Sequence, residues 1–187
     1  GKANAFSKRL SVLDERVDTI RRVWSNTLPL PEGAPPIGPT PVQPGGPPIL
    51  SSSLGPKSIK RAVRWADGLA GFHMGPDLDE VEQIFETFRS SWDEFGREGR
   101  PTIQLSFWFA LGDHAPERMA SFAGDYLSIF GEAFAKKRSP HCGATSTAEI
   151  RDILNRLEDM GCDEAILAPT TASLDELSAA EDFVSGL

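Results

Sequence analysis

Apolar residues recur at two different periods along this chain, and the change of period divides it. Leu10, Leu13, Val17, Ile20 and Val23 fall at helical spacing, with charged residues between them. That pattern predicts an amphipathic helix over about residues 6–26. From Leu28 to Pro48 periodicity disappears into PLPEGAPPIGPTPVQPGGPP. Proline removes a backbone donor and fixes φ, so this stretch is neither helix nor central strand. It reads as a long loop or linker, a class usually functional or mobile. The division expected is a helix over 1–27, a Pro/Gly-rich loop over 28–48, and an alternating α/β region over 49–187.

Past Pro48 the pattern is regular. Ile49–Ser52 predicts a short strand, and Pro56 suits the first turn of a helix reaching about Ala66. Gly68–Phe72 predicts a second strand. Leu78, Val81, Ile84, Phe85, Phe88, Trp92 and Phe95 mark a helix with a wide apolar face, stopped by Gly96 and Gly99. Thr102–Leu111 alternates. Ile103, Leu105, Phe107, Phe109 and Leu111 form a greasy face, and Thr102, Gln104, Ser106, Trp108 and Ala110 a mixed one. Pro116 opens a helix carrying Met119, Phe122, Tyr126, Phe130 and Phe134. Lys136–Thr145 reads as a polar loop. Ser146-Thr147-Ala148-Glu149 and Ser173-Leu174-Asp175-Glu176 both have capping-box spacing. The first starts a helix through Ile150, Ile153, Leu154, Leu157 and Met160, stopped by Gly161. The second starts a last helix through Leu177, Phe183 and Val184. Glu164–Ala168 is a short strand between them. Alternation of this kind implies parallel strands joined by right-handed crossovers, in an open sheet or part of a barrel.

Composition narrows the function. At 187 residues the chain can bury one sizeable core. A net charge of −8 argues against a nucleic-acid surface. No stretch approaches the roughly 18 apolar residues of a membrane span, and GKANAFSKRL lacks a signal-peptide core. Cys142 and Cys162 lack metal-ligand spacing; the two could pair, but they read first as free thiols of a reducing compartment, the cytoplasm.

The chemistry-bearing residues gather at strand ends. Ser51, Ser52, Ser53 and Gly55 lie between a strand and a helix, where backbone N–H groups can hold a phosphate or carboxylate. They equally suit a polar turn with no ligand. Lys57, Lys60, Arg61 and Arg64 follow, either attracting that anion or forming a solvated helix face. His73, with Gly71, Phe72 and Met74 at the end of the second strand, is a hydrogen-bond donor or general acid, or a structural residue. His141-Cys142 has no visible third ligand, so no metal site is expected.

The segment around Ala66-Asp67-Gly68 resembles the luciferase-like monooxygenase family, flavin- or deazaflavin-dependent (β/α)8 enzymes. FSKRLSVLDERVDTIRRVW is similar to the helix before that family's fifth strand, and PVQPGGPPIL to the approach to that strand. RAVRWADGLAG resembles the next helix and sixth strand. GRPTIQLSFWFALGD resembles the seventh strand, and TAEIRDILNRLEDMGCDEAILAPTTASLDEL the closing helix, eighth strand and last helix. The resemblance covers nearly the whole chain and implies the C-terminal half of a (β/α)8 TIM-type barrel, with about four parallel strands. A complete barrel needs about 250 residues, so the first four strands are expected outside this chain.

The resemblance further implies an oxidoreductase or monooxygenase using FMN or F420, with Ser52, Ser53, Gly55 and His73 on the cofactor near its phosphate. Where the family often has a second glycine, this chain has Leu54. Pro169-Thr170-Thr171 resembles the family's turn after the eighth strand. Half a barrel exposes two sheet edges, so the expected partner is a second copy or an N-terminal half-barrel. The alternative of another class is a catalytically inactive half-barrel serving as a structural or interaction subunit.

Overall fold

The computed structural model describes residues 8–75 and 77–187. The first two residues of the expected helix, Phe6 and Ser7, lie outside that range. The chain divides into two compact units, one ending at Ile49 and one beginning at Leu50.

In the first unit, helix α1 runs Arg9–Trp24, with Arg21 and Arg22 in its last turn where the carbonyl ends favour cations. The Ser25 hydroxyl donates to the Arg21 carbonyl at 2.9 Å and helps close the helix. The Pro/Gly-rich segment after it has no helix or strand. Its far end returns to α1 at Gly46, where φ is +92° and a Cβ would sit 2.1 Å from the Trp24 ring. Only glycine lets the backbone lie on the indole there.

The second unit holds a sheet of four parallel strands in the order β1-β2-β3-β4. These are β1 Leu50–Ser51, β2 Gly68–His73, β3 Thr102–Phe109 and β4 Glu164–Pro169. Between them lie α2 Pro56–Ala62, α3 Asp79–Glu94, α4 Ala115–Leu127, α5 Glu132–Arg138 and α6 Thr147–Asp159, with α7 Leu174–Ser185 last. The expected architecture is present, an α/β half-barrel of parallel strands flanked by helices.

The alternation of β3 sets the two faces. Ile103, Leu105, Phe107 and Phe109 are buried with Leu69 against Ile59, Val81, Phe85, Phe88, Ile150 and Leu157 of the helices. Each fully buried side chain of this size contributes about 1.5–3 kcal/mol, so this face holds the sheet to its helices. The opposite face carries Ala70 and Phe72 beside Gln104 and Ser106, which in turn lie beside Glu164 and Ile166.

Gly68 permits the closest approach in the sheet. A Cβ there would meet the Thr102 carbonyl oxygen at 2.0 Å. Asp67 accepts the Thr102 N–H at 3.2 Å and pairs with Arg97 at 3.7 Å. Arg97 also donates to the Val63 carbonyl at 2.6 Å and lies 4.2 Å over the Trp92 ring. The entrance to β4 is pinned by Asp163, which accepts the Ile103 N–H at 2.8 Å and pairs with Arg100 at 2.5 Å. Burial opposes the charge on Asp163, but these donors outweigh it and hold its carboxyl below the usual range.

Four expectations need correction. Helix α2 ends at Ala62, short of Ala66, and gives way to turns. The helix through Tyr126, Phe130 and Phe134 is broken: α4 stops at Leu127, a 3-10 turn covers Ser128–Phe130, and Gly131 turns the chain at φ +109°. The supposed polar loop Lys136–Thr145 contains the end of α5, a 3-10 turn over Ser139–His141, and a buried return. There Gly143 donates to the Met74 carbonyl at 2.6 Å and Ala144 to the Trp108 carbonyl at 2.9 Å. The two capping boxes differ. Glu149 N–H donates to the Ser146 hydroxyl at 3.2 Å, and the Glu149 carboxylate turns back to the Thr145 N–H at 2.6 Å. Ser173 makes no such side-chain cap; the Glu176 carboxylate turns inward to accept the Leu111 N–H at 2.9 Å, and the Ser173 N–H donates to the Thr171 hydroxyl at 3.2 Å. Along α7, Ala180 is buried while Leu177 and Val184 face outward.

Candidate functional site

Parallel sheets gather ligands at the carboxyl ends of their strands. Three surfaces occupy that end here. At the end of β1, Ser51 is buried and its hydroxyl shares a 2.8 Å hydrogen bond with that of Ser53. Ser52 is exposed. Gly55 is extended, at φ −89° and ψ 149°, and a Cβ there would meet only the Ser58 hydroxyl, at 3.7 Å. Neither backbone nor packing demands glycine at 55, so the space beside it is open. Of the basic residues beyond, Lys60 pairs with Glu94 at 2.7 Å and Arg64 lies 5.4 Å over the Phe95 ring. Those two are committed to α3 rather than to the serine turn.

His73 lies across from Phe107, in the register that faces the helices, and not on the face with Phe72. It lines a cleft of about 110 Å³ with Leu54, Gly71, Glu80, Ile84 and Arg138. Gly71 leaves this slot vacant, since a Cβ there would stand 2.8 Å from a Leu105 methyl. Burial pushes the His73 imidazole below its ordinary value of 6.5; the Asp77 backbone and the Glu80 and Asp77 carboxylates pull it up, and Arg138 adds to the lowering. His73 is therefore mostly neutral at neutral pH, and its backbone partner is Asp77. Arg138 forms no ion pair among the described residues. The cleft brings His73 and Leu54, the residue between Ser53 and Gly55, to one place.

A second cleft, of about 450 Å³, lies past the ends of β3 and β4, between Asp113, Arg118, Thr171, Ser173 and Glu176. Arg118 donates to the Leu111 carbonyl at 2.5 Å and to the Asp113 carbonyl, and stands 3.9 Å from Glu176. It ties the loop after β3 to α7.

The third surface is aromatic. Trp108, on the face away from α2, α3 and α6, meets Phe72 of β2 and Phe122 and Tyr126 of α4 edge to face. Cys142 packs in the buried cluster beneath Trp108, with Met119 and Leu127. The Cys142 thiol is buried, donates to the Arg138 carbonyl at 3.3 Å, and is pushed up by that burial, which disfavours the thiolate a nucleophile needs. Among the described residues no group of three or more His, Cys, Asp or Glu side chains is placed to hold a metal. No described helix is long and apolar enough to cross a membrane.

A family model for luciferase-like monooxygenases matches residues 1–179. The chain belongs to the luciferase-like monooxygenase family. No curated protein matches its sequence. Among solved structures, the chain resembles an F420-dependent secondary alcohol dehydrogenase at 18% identity and TM-score 0.65, covering 94% of this chain and 60% of that one. It resembles the F420-dependent tetrahydromethanopterin reductase of Methanopyrus kandleri at 13% identity and TM-score 0.67, covering 92% and 60%. A long-chain alkane monooxygenase matches at 14% identity and TM-score 0.64, covering 100% and 57%. At such identities the likeness speaks to the fold alone. This luciferase-like chain spans about 60% of the length of those neighbours.

Arg138 and the joining of Trp108 to α4 were missed in the sequence. A signal for α5 was present: Glu132 at one end of EAFAKKR and Lys136-Lys137-Arg138 at the other match the helix dipole.

Proposed function

We propose that this chain forms one half of an F420- or FMN-dependent oxidoreductase of the luciferase-like family and holds the phosphate end of the cofactor. The observation carrying this reading is the hydroxyl-rich turn after β1, with open space beside Gly55 and with Leu54 lining the same cleft as the His73 imidazole and the Arg138 guanidinium. Those groups suit a phosphate. Ser52 and Ser53 donate hydroxyl hydrogen bonds, His73 becomes a second cation once a bound phosphate favours its protonation, Gly55 leaves room for close approach, and Arg138 supplies countercharge. The ring end is different. A cleft of about 110 Å³ is below the roughly 300–1,000 Å³ of a ligand pocket, so further barrel strands must enclose the ring. When bound, such a cofactor supplies hydride transfer or oxygen activation, and the protein supplies position and electrostatics. The free thiols Cys142 and Cys162 support a reducing, cytoplasmic setting.

A second reading, an inactive structural half-barrel, draws support from the small cleft and the open sheet edges. Titrating the whole natural protein against FMN and F420 fluorescence separates the two. The cofactor reading expects saturable quenching by one of them, weakened about tenfold by Ser53→Ala, the loss of one charge-assisted hydrogen bond. Absence of quenching by either would establish the inactive reading.

A further inference from the structure

We propose that the cleft past the ends of β3 and β4 is a binding site for a small primary amine, held through its ammonium group by Glu176. The proposal is independent of the cofactor reading, which concerns the ends of β1 and β2.

The cleft holds a polar atom with nothing to bond. Glu176 lines it, and the side chain is only 3% exposed. One carboxylate oxygen, Oε1, accepts the Leu111 N–H at 2.9 Å and stands 3.9 Å from the Arg118 guanidinium. The other, Oε2, is buried and has no hydrogen-bond partner among the described residues. A buried acceptor left unpaired carries the full cost of its lost hydration, and more so when it belongs to a charged group. Such an atom marks a place where a donor is wanted. Arg118 does not supply it. Its guanidinium is turned to the Leu111 carbonyl at 2.5 Å and to the Asp113 carbonyl.

The surroundings choose the donor. Asp113 and Asp175 line the same cleft, and neither forms an ion pair among the described residues. Three carboxylates therefore face one guanidinium that is already engaged. An anion would be repelled there, and a neutral ligand would leave the negative excess uncompensated. The half-positive start of α7 opposes a cation, but Asp175 and Glu176 in its first turn offset it. Among the described residues no three His, Cys, Asp or Glu side chains converge to hold a metal ion, so the carboxylates are too spread for one. A guanidinium pairs best with both oxygens of a carboxylate, and Leu111 has taken one of them. A compact ammonium needs only the other, and Ser173 on the cleft wall adds a hydroxyl acceptor. About 450 Å³ leaves room for a few carbons behind the nitrogen. The occupant is therefore a small aliphatic amine in its ammonium form.

The test uses n-butylamine, 1-butanol and butyrate, which share a chain and differ in charge. Each is titrated calorimetrically into the whole natural protein at neutral pH, without FMN or F420. Butylamine is expected to bind about tenfold or more tightly than butanol, and butyrate more weakly than either. Glu176→Gln keeps a carbonyl oxygen for the Leu111 N–H but puts an N–H donor in place of Oε2, and should weaken butylamine about tenfold or more. Asp113→Asn and Asp175→Asn leave Glu176 in place, and together should weaken it about threefold to tenfold. Butanol binding as tightly as butylamine, or no butylamine binding at all, would mean that the cleft holds only water and would overturn the proposal. Unchanged butylamine affinity in the Glu176→Gln protein would overturn it as well. If Glu176→Gln does not fold, the Asp113→Asn and Asp175→Asn double variant decides, and an unchanged affinity there has the same force.

Discussion

Gly71 shapes a site by having no side chain. It faces the helix layer from the middle of β2, and the space it leaves becomes the slot beneath His73. Gly68, three residues earlier, is glycine for another reason: its neighbour is backbone. The two should respond differently to alanine. At Gly71 the new Cβ meets a movable Leu105 methyl beside an unfilled cleft, so the cost should stay below about 1.5 kcal/mol while the slot shrinks. At Gly68 it meets the Thr102 carbonyl at 2.0 Å, and β2 must separate from β3, for about 3 kcal/mol. Urea unfolding of both variants measures the difference; equal costs would contradict this assignment. His73 supplies a pH dependence. Its folded pKa is below the ordinary 6.5, so falling pH protonates the unfolded chain first. Stability from this residue is complete above about 6.5 and declines below it, until the folded imidazole is protonated as well. A His73→Gln variant should show a flatter stability profile between about pH 5 and 7 than the parent.

Among the elements, the two capping boxes show where sequence spacing is sufficient and where it is not. Ser146 and Ser173 each precede a glutamate by three residues, yet only Ser146 accepts the cap hydrogen bond. The other glutamate, Glu176, answers a longer-range demand, the otherwise unpaired Leu111 N–H sixty-five residues earlier. Local spacing holds no record of that partner. Ser146→Ala should therefore destabilise by about 1 kcal/mol, and Ser173→Ala by much less, as read by thermal unfolding. The strands were legible because period-two alternation and flanking glycines are local signals. Ala70, Phe72, Trp108 and Ile166 share a face for the same reason. Helix α5 was not legible as a helix of its own: Phe134 was read into the helix before it, and Lys136-Lys137-Arg138 look like solvent-facing loop. The candidate site was half-read: Ser52, Ser53, Gly55 and His73 come from the strand ends, but Arg138 reaches the cleft from that unrecognised helix.

At the scale of the molecule, among the described residues β1 and β4 each pair with one neighbour only, and β4 offers the longer free edge. Free edges and a half-exposed aromatic face favour association. The chain by itself is expected to sediment as a species larger than its 20.3 kDa, and a well-folded monomer at tens of micromolar would contradict that expectation. The strand order has a further consequence, for how the chain acquires its structure. Each strand lies beside the one made just before it. After β1, each strand finds its first partner in a strand already made, and closing the roughly sixty residues between β3 and β4 adds little over a shorter loop because the cost grows only with the logarithm of length. A ribosome releasing this chain from its N-terminus would release β1, β2, β3 and β4 in the order in which they can dock, and the sheet can grow by one strand at a time during synthesis.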